Sequence, residues 1–323
     1  MERELALELV RVTELAALAA SPWMGRGDKN SADGAATEAM RKMFDSVSMQ
    51  GTVVIGEGEM DEAPMLYIGE QVGNMQGPQV DVAVDPLEGT EIVAKGLNNA
   101  MSVLAIAPKG ELLHAPDMYM EKLAVGPALV GKLSLMDPVR TTVEKAALAL
   151  GKPLSELTVI LLDRERHAKI VAELRQTGVR IKFLSDGDVA GAMAPAFPET
   201  GIDLYVGSGG APEGVLAAAA LKCLGGEIQG RLMPEDQAQF ERCIEMGIED
   251  PKRLLSMDDM VGTGDVIFSA TGVTPGEFLG GVRYLADQRA ETDSVVMRAK
   301  TRTIRYIRSL HYLPNKPLLR NMK

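Results

Sequence analysis

The stretch Asp85-Pro86-Leu87-Glu88-Gly89-Thr90 is the most informative part of this chain for chemistry. It presents two carboxylates three residues apart, a hydroxyl, and a glycine that lets the backbone approach a ligand without a Cβ atom in the way. Mg²⁺ prefers one or two carboxylates together with substrate phosphates. The stretch therefore indicates a site for a hard divalent cation and a phosphate oxygen. A polar turn in which Asp85 or Thr90 caps a helix is the alternative.

Strands and helices must position these groups, and two further acidic clusters share that arrangement. An apolar run at residues 80–84 predicts a strand, which Pro86 is expected to end because it cannot donate to a ladder. Residues 57–62 follow a predicted strand over 52–56, and Asp33 is expected to open a helix. Carboxylates at this density repel one another unless a cation compensates them. The three clusters together predict a shared metal site, whereas each alone would suit a solvated turn.

A carboxylate site that holds several metal ions is suited to phosphoryl transfer. Metals clamp the phosphoryl group, lower the pKa of a bound water and steady the leaving oxygen. The protein then contributes mainly positioning and charge neutralisation. Asp61 and Thr90 are candidates to orient and deprotonate the water. An exposed turn acid and a helix cap are the respective alternatives.

Three strand ends in the second half of the chain supply groups suited to a phosphate and a sugar. Arg164 and Arg166 can hold a phosphate bidentately, although surface ion pairs would use the same residues. The acids of Ser185-Asp186-Gly187-Asp188 could accept from sugar hydroxyls, or Asp188 could cap a helix. Residues 207–214 predict a glycine-rich loop from a strand to a helix N-terminus, an anion site that matches neither the dinucleotide fingerprint nor the P-loop. Ligands of open α/β sheets collect at such strand ends.

Composition excludes several functional classes. The chain has 323 residues and a net charge of −11, which argues against nucleic acid as a partner. Its three histidines have no ligand spacing, so neither a zinc site nor a Ser-His-Asp triad is expected. Two cysteines make no disulfide framework, and we find no secretory signal and no apolar stretch of about 18 residues that could span a bilayer. We expect a soluble, cytoplasmic protein with no membrane partner.

The periodicity predicts an α/β protein with strand–helix alternation after residue 145, a parallel helix-covered sheet and a β-rich tail. The predicted halves are residues 1–145, which carry the metal site, and residues 146–323, which bind substrate. Helices are predicted over residues 5–20, 35–44, 166–176, 188–194 and 213–224, with a polar loop at 25–31. Strands are predicted over residues 52–56, 80–84, 102–107, 157–162, 179–184, 203–206, 266–268, 294–297 and 303–307.

Taken together, these motifs closely resemble the class II (GlpX-type) fructose-1,6-bisphosphatases, within the lithium-sensitive, metal-dependent sugar phosphatase superfamily. The matching segments are residues 23–27, 56–65, 85–90, 115–120, 164–167, 186–191 and 207–214. The resemblance runs through nearly the whole chain and no insertion breaks its order. It implies an α/β/α/β/α layered sandwich of two halves, assembled as a homo-oligomer, a dimer or a tetramer.

The resemblance also implies an activity and a set of site residues. The activity is hydrolysis of the 1-phosphate of fructose 1,6-bisphosphate, a gluconeogenic step that depends on Mg²⁺ or Mn²⁺. One metal would be held by Asp33 and Glu57, and another by Asp85, Glu88 and Glu213. Catalytic residues would be Lys29, Asp61, Thr90 and Glu213. Substrate contacts would come from Glu88, Gly89, Thr90, Tyr119, Arg164, Glu165, Arg166, Asp186, Gly187, Asp188 and Gly210.

Glu88 is the one departure from the wider superfamily, whose motif has Asp at this position. The class II family itself has Glu there, so the residue points to that class. Two alternatives stay open: a dual enzyme that also hydrolyses sedoheptulose 1,7-bisphosphate, and a non-catalytic regulator that binds sugar phosphates. An inositol or nucleotide phosphatase is less favoured. Asp33, Glu57 and Asp61 argue against a pure anion binder, since these acids would repel the anion unless metals were present.

Overall fold

The structure is a computed structural model that describes residues 4–58 and 64–320. Its helices are α1 (Leu5–Ala20), α2 (Lys29–Phe44), α3 (Thr90–Lys95), α4 (Val139–Leu150), α5 (Ala168–Thr177), α6 (Val189–Met193), α7 (Ala211–Leu224), α8 (Gln237–Glu245), α9 (Met257–Met260) and α10 (Pro317–Arg320). Its strands are β1 (Gln50–Ile55), β2 (Gln71–Val72), β3 (Gln79–Glu88), β4 (Met101–Pro108), β5 (Tyr119–Val125), β6 (Thr158–Leu162), β7 (Arg180–Leu184), β8 (Leu204–Gly210), β9 (Glu227–Leu232), β10 (Ile267–Gly272), β11 (Arg283–Leu285), β12 (Arg289–Arg298) and β13 (Thr303–Tyr312). No helix in these described ranges is long and apolar enough to cross a membrane.

The chain divides into two compact units. The first unit combines Met1–Leu112 with Gly264–Lys323, and the second unit is Leu113–Thr263. These limits differ from the predicted halves 1–145 and 146–323, which stay a prediction about domains. The first unit takes in both ends of the chain because β10, from the C-terminal segment, pairs with β4 from the N-terminal one.

The first unit is built on a mixed sheet in the order β11-β12-β10-β4-β3-β1-β2, with β13 paired to β12. The β1–β3 pair is parallel, and the remaining pairs of this sheet are antiparallel. Helix α1 is apolar around most of its circumference and is accordingly buried along nearly its whole length. Its side chains share one core with α2 and the sheet, through residues such as Leu9, Phe44 and Leu104.

The second unit has a five-stranded sheet in the order β7-β6-β8-β5-β9. Strands β6, β7 and β8 are parallel, whereas β5 is antiparallel to both of its neighbours. The predicted parallel sheet therefore corresponds to β6, β7 and β8 only, and the antiparallel strand β5 makes the whole sheet mixed. Its core contains Leu123, Val143 and Val159. The α/β class is confirmed by the two mixed sheets and their helices.

Two predicted boundaries in the first unit are wrong for local reasons. Strand β3 does not end before Pro86 but continues to Glu88, because the ladder shifts register between Asp85 and Glu88 and the proline lies in that bulge. Helix α2 begins at Lys29 instead of residue 35, because the side chain of Asp28 accepts a hydrogen bond from the backbone N of Ser31 at 3.0 Å and caps it.

The predicted glycine-rich loop at residues 207–214 is also wrong. Strand β8 runs through Gly210, and α7 starts at the next residue. The glycines serve close packing instead of loop flexibility: a Cβ built on Gly209 would lie 2.0 Å from Oδ2 of Asp188. Only a residue without a side chain fits at this position of the strand.

Candidate metal and phosphate site

The first acidic cluster lies where β1 ends in the first unit. The backbone N of Glu57 donates to the carbonyl oxygen of Leu66 at 3.0 Å, which fixes the chain just beyond the strand. Gly56 is required there, because a Cβ would lie 1.9 Å from that same carbonyl oxygen. Asp33 was predicted to be at the start of α2, and this is wrong: the helix begins at Lys29, so Asp33 lies in its second turn. The structure brings Asp33 and Glu57 into direct interaction.

Electrostatics mark this pair as uncompensated. Burial, followed by the negative charge of Asp33, raises the pKa of Glu57 to about 8. Burial also raises the pKa of Asp33, while its hydrogen bond with Glu57 acts in the opposite direction. No lysine, arginine or histidine of the described ranges forms a salt bridge with either carboxylate. A divalent cation would relieve both the repulsion and the cost of burial, so the two residues fit a metal site.

The second acidic cluster lies on the bulge of β3. Oδ1 of Asp85 accepts from the backbone N of Leu87 at 3.0 Å, and Glu88 is buried. Asp85 and Glu88 each offer a carboxylate oxygen, and these oxygens lie within 4.8 Å of each other. The bulge explains the arrangement: an extra residue between the two ladder positions turns both acids toward one region. Such a pair suits a hard cation that prefers oxygen ligands.

Gly89 connects this cluster to α3. Its φ of +91° lies in the left-handed region, which glycine adopts without penalty. Thr90 is the first residue of α3. Lys29 lies near the same helix, with its Nζ atom 2.9 Å from Oε1 of Glu91. Hydrogen bonds from Lys29 and then Lys95 lower the pKa of Glu91 to about 2, so this acid carries its charge throughout the neutral range.

Asp61, predicted to act on the water, lies outside the described residues, as do Glu59 and Glu62. Its role stays a prediction.

In the second unit, Arg164 is fixed at the end of β6. Its guanidinium donates to the carbonyl oxygen of Ser185 at 2.6 Å and to Oδ1 of Asp186 at 2.9 Å. The predicted pair of strand ends, after β6 and β7, is therefore brought together. Gly187, at φ +64°, turns the chain between Asp186 and Asp188. Glu165 is exposed.

Arg166 is held by the neighbouring strand and by an aromatic ring. Its Nε and Nη2 atoms donate to Oγ and the carbonyl oxygen of Ser208, at 3.1 and 2.8 Å. Its guanidinium carbon lies 4.5 Å from the centre of the Tyr119 ring, a cation–π geometry. Both side chains are exposed, so the guanidinium keeps a face toward solvent. The structure thus brings together two residues that the sequence placed 47 positions apart.

His167 is buried next to Arg166 in the sequence and holds the same residue of β8, Ser208. Its Nδ1 atom lies 2.8 Å from the carbonyl oxygen of Leu162 and therefore donates, while Nε2 accepts from the backbone N of Ser208 at 2.9 Å. Burial lowers its pKa, which keeps the ring neutral. The sequence prediction did not assign His167 or Ser208, because nothing in either segment shows that the two strands are neighbours.

Asp188 is more deeply buried than a simple sugar contact would require. Its Oδ2 atom accepts from Nζ of Lys122 at 2.7 Å and from the hydroxyl of Tyr205 at 2.8 Å. Lys122 is fully buried, and its Cα register partners in the sheet are Gly207 and Gly230. Oδ1 of Asp188 has no hydrogen-bond partner among the described residues. The prediction missed Lys122, although a lone lysine in the otherwise apolar end of β5 was a usable signal.

Glu213 lies in the first turn of α7, directly after β8. A Cβ on Gly210 would lie 1.9 Å from Oε2 of this side chain, so the glycine leaves the space that the carboxylate occupies. An acid in the first turn is also favoured by the helix dipole.

Comparison with known proteins agrees with this geometry. A sequence model of the family described as "Bacterial fructose-1,6-bisphosphatase, glpX-encoded" matches residues 3–311. The chain belongs to this family. It is 50% identical over 329 aligned residues to the fructose-1,6-bisphosphatase 1 class 2 of Escherichia coli K12. This alignment covers 98% of this chain and 97% of the relative. The fructose-1,6-bisphosphatase class 2 of Shigella flexneri shows the same identity and coverage. The predicted family is therefore confirmed, and with it a class of phosphatases.

Proposed function

We propose that this chain hydrolyses the 1-phosphate of fructose 1,6-bisphosphate to fructose 6-phosphate and inorganic phosphate, as a gluconeogenic step. The observation that carries the proposal is membership of the glpX-encoded family over nearly the whole chain. The uncompensated acids of the first unit support it, because a phosphatase that works through a divalent cation needs carboxylates without a cation of the protein beside them.

We assign Mg²⁺ or Mn²⁺ as the cofactor. Asp33 and Glu57 would hold one cation, and Asp85, Glu88 and Glu213 another. When bound, such a cation polarises a phosphoryl oxygen and lowers the pKa of a water. The pKa of both Asp33 and Glu57 is raised, and Glu57, whose pKa is about 8, must lose its proton when the cation binds at neutral pH.

The remaining proposed residues bind substrate or direct the water. Asp61 and Thr90 would orient and deprotonate the water, and Lys29 would place a positive charge beside them. Arg164 and Arg166 would hold a phosphate, with Tyr119 fixing the plane of the Arg166 guanidinium. Glu88, Gly89, Glu165, Asp186, Gly187, Asp188 and Gly210 would complete the contacts to substrate.

We further propose a cytoplasmic homo-oligomer, a dimer or a tetramer. Cys223 and Cys243 are both buried, and neither forms a disulfide within the described part of the chain, as is typical of a reducing compartment. The oligomeric state follows the family resemblance, and sedimentation of the purified chain measures it.

The test is phosphate release from fructose 1,6-bisphosphate, sedoheptulose 1,7-bisphosphate and inositol 1-phosphate, each with Mg²⁺, with Mn²⁺ and with chelator. We expect release from the fructose ester with either cation and none with chelator. Comparable release from the sedoheptulose ester would establish the dual enzyme. Absence of cation-dependent release from all three would favour the non-catalytic regulator and overturn the proposal, and preference for inositol 1-phosphate would contradict the substrate assignment.

A further inference from the structure

A cavity of about 850 Å³ lies within the first unit, between the end of α1, the β11–β12 turn and the segment after β13. Trp23 and Tyr284 contribute the aromatic surface, and Leu18, Leu313 and Leu319 contribute aliphatic surface. The volume is in the range of pockets that take small molecules, about 300–1,000 Å³. None of the lining residues belongs to the proposed phosphatase site.

Hydrogen bonds hold the walls of this cavity in place. Oγ of Ser21 and the hydroxyl of Tyr284 are 2.9 Å apart, which joins the end of α1 to β11. The backbone N of Leu313 donates to the carbonyl oxygen of Gln288 at 2.9 Å, which joins the C-terminal segment to the β11–β12 turn. The three walls are therefore pre-formed, so a ligand need not order them on binding.

Arg26 is the charged residue among those that line the cavity. Its guanidinium forms no hydrogen bond or ion pair with any residue of the described ranges, and its described contact is with the Trp23 ring, at 5.7 Å. Arg26 is exposed at the edge of this partly apolar cavity, and no acceptor of the described residues occupies its N–H donors. An anion is the group that such a guanidinium recognises best.

We propose that this cavity binds a small molecule that carries a planar aromatic ring and an anionic group. The ring lies against Trp23 and Tyr284, and the anion is held by Arg26. The segment that carries Arg26 is attached to α3 on both sides: the backbone N of Gly25 donates to Val93 at 2.8 Å, and that of Gly27 to Ala94 at 2.9 Å. These two hydrogen bonds connect a ligand on Arg26 to the helix that begins with Thr90, and the second part of the proposal is that its binding changes the rate of the proposed reaction.

Calorimetric titration of the full chain with 1-naphthalenesulfonate tests the binding. This probe has the ring and the anion but no phosphate ester that the protein could hydrolyse. We expect one molecule bound per chain, and about tenfold weaker binding for Arg26→Gln, because a charge-assisted contact is lost. Gln288→Glu should also weaken binding by placing a like charge in the wall, whereas Arg305→Gln on exposed β13 should not. The emission of Trp23, the chain's only tryptophan, gives a second readout.

Three results would overturn the binding proposal: no saturable binding, several molecules bound per chain, or equal affinity in the parent protein and Arg26→Gln. The neutral 1-naphthalenemethanol should bind at least about tenfold more weakly than the sulfonate, and equal binding would remove the anion from the assignment. The effect on rate rests on the proposed function and is measured separately. Saturating probe should change phosphate release in the parent and not in Arg26→Gln; an unchanged parent rate together with calorimetric binding would overturn the link to α3 alone.

Discussion

The acid pair Asp33–Glu57 of the first unit is partly buried and the carboxylate of Asp188 in the second unit is buried, yet their charges are handled differently. Asp188 has Nζ of Lys122 at 2.7 Å and the Tyr205 hydroxyl at 2.8 Å. Asp33 and Glu57 have each other, and among the described residues no cationic side chain forms a salt bridge with them. The comparison shows that burial of an acid does not by itself indicate a metal site. The absence of a compensating cation from the protein is the informative property.

Asp85→Asn should have the largest effect on activity. The asparagine Oδ1 can still accept from the backbone N of Leu87, so the bulge and the fold are retained while a charged, proposed metal ligand is lost. We expect turnover to fall about a thousandfold or more, because metal-assisted stabilisation of the reaction is worth several kcal/mol. Phosphate release and circular dichroism measure the two properties. Asp287→Asn, at an exposed turn, is the control, and near-normal turnover by Asp85→Asn would remove Asp85 from the site.

Lys122→Met should destabilise the second unit strongly. It leaves Asp188 buried with only the Tyr205 hydroxyl beside it, and breaking a buried pair in this way costs about 3–5 kcal/mol. Chemical denaturation measures the loss. The double variant Lys122→Met with Asp188→Asn should recover part of it, because the unpaired charge is gone. A single variant as stable as the parent would mean that Lys122 does not compensate Asp188.

The Asp33–Glu57 pair predicts a pH dependence of the metal-free protein. The pKa of Glu57 is raised from 4.5 to about 8, so the folded state retains a proton that the unfolded state has lost between these values. Stability in chelator should therefore be highest below pH 4.5, as far as this group is concerned, and should fall as the pH rises to about 8. Cation affinity should rise over the upper part of that window, because loading displaces the proton. Calorimetry in buffers of different ionisation enthalpy counts the protons released, and release of none at pH 7 would contradict the raised pKa.

Arg164→Ala should have a smaller effect, mainly on KM. A phosphate that does not react is held equally in the ground and transition states, so its loss raises KM and leaves kcat nearly unchanged. We expect a rise in KM of about tenfold, since one charge-assisted contact is removed. Steady-state kinetics against Arg175→Ala, an exposed arginine of α5, provide the comparison. A fall in kcat at unchanged KM would assign Arg164 to the reacting phosphate instead.

Sequence reasoning predicted the elements whose signal is local. Helix α1 follows from its apolar periodicity, and the β-rich tail follows from runs that became β10, β12 and β13. Pro86 was wrongly predicted to end its strand, because the bulge that accommodates the proline depends on pairing with β4. The glycines of β8 were predicted as a loop, but they belong to the strand and make room for two acids. Gly209 leaves space for Asp188, and Gly210 leaves space for Glu213 in the first turn of α7. The glycine pattern alone does not reveal these contacts.

The candidate site shows the same limit. The residue types at Asp33, Glu57, Asp85 and Glu88 made them candidate cation ligands from the sequence alone. Their electrostatic state was not, because it depends on the separation of two elements and on burial. The Lys122–Asp188 pair spans 66 residues and distinguishes one buried acid from the others. Composition and residue spacing cannot predict a contact between side chains so far apart in the sequence.

The free energy of unfolding of Glu57→Gln, measured by chemical denaturation in chelator and again with Mg²⁺ or Mn²⁺, shows whether Asp33 and Glu57 are an uncompensated pair of acids that a divalent cation stabilises. Glutamine is neutral without taking up a proton, whereas Glu57 must hold one in the folded protein at neutral pH because its pKa is about 8. In chelator at neutral pH the variant should therefore be more stable than the parent by about 1–3 kcal/mol. Added cation should stabilise the parent and have much less effect on the variant. A variant that is less stable than the parent in chelator would contradict the raised pKa of Glu57, and one that gains as much from the cation would remove Glu57 from the cation site.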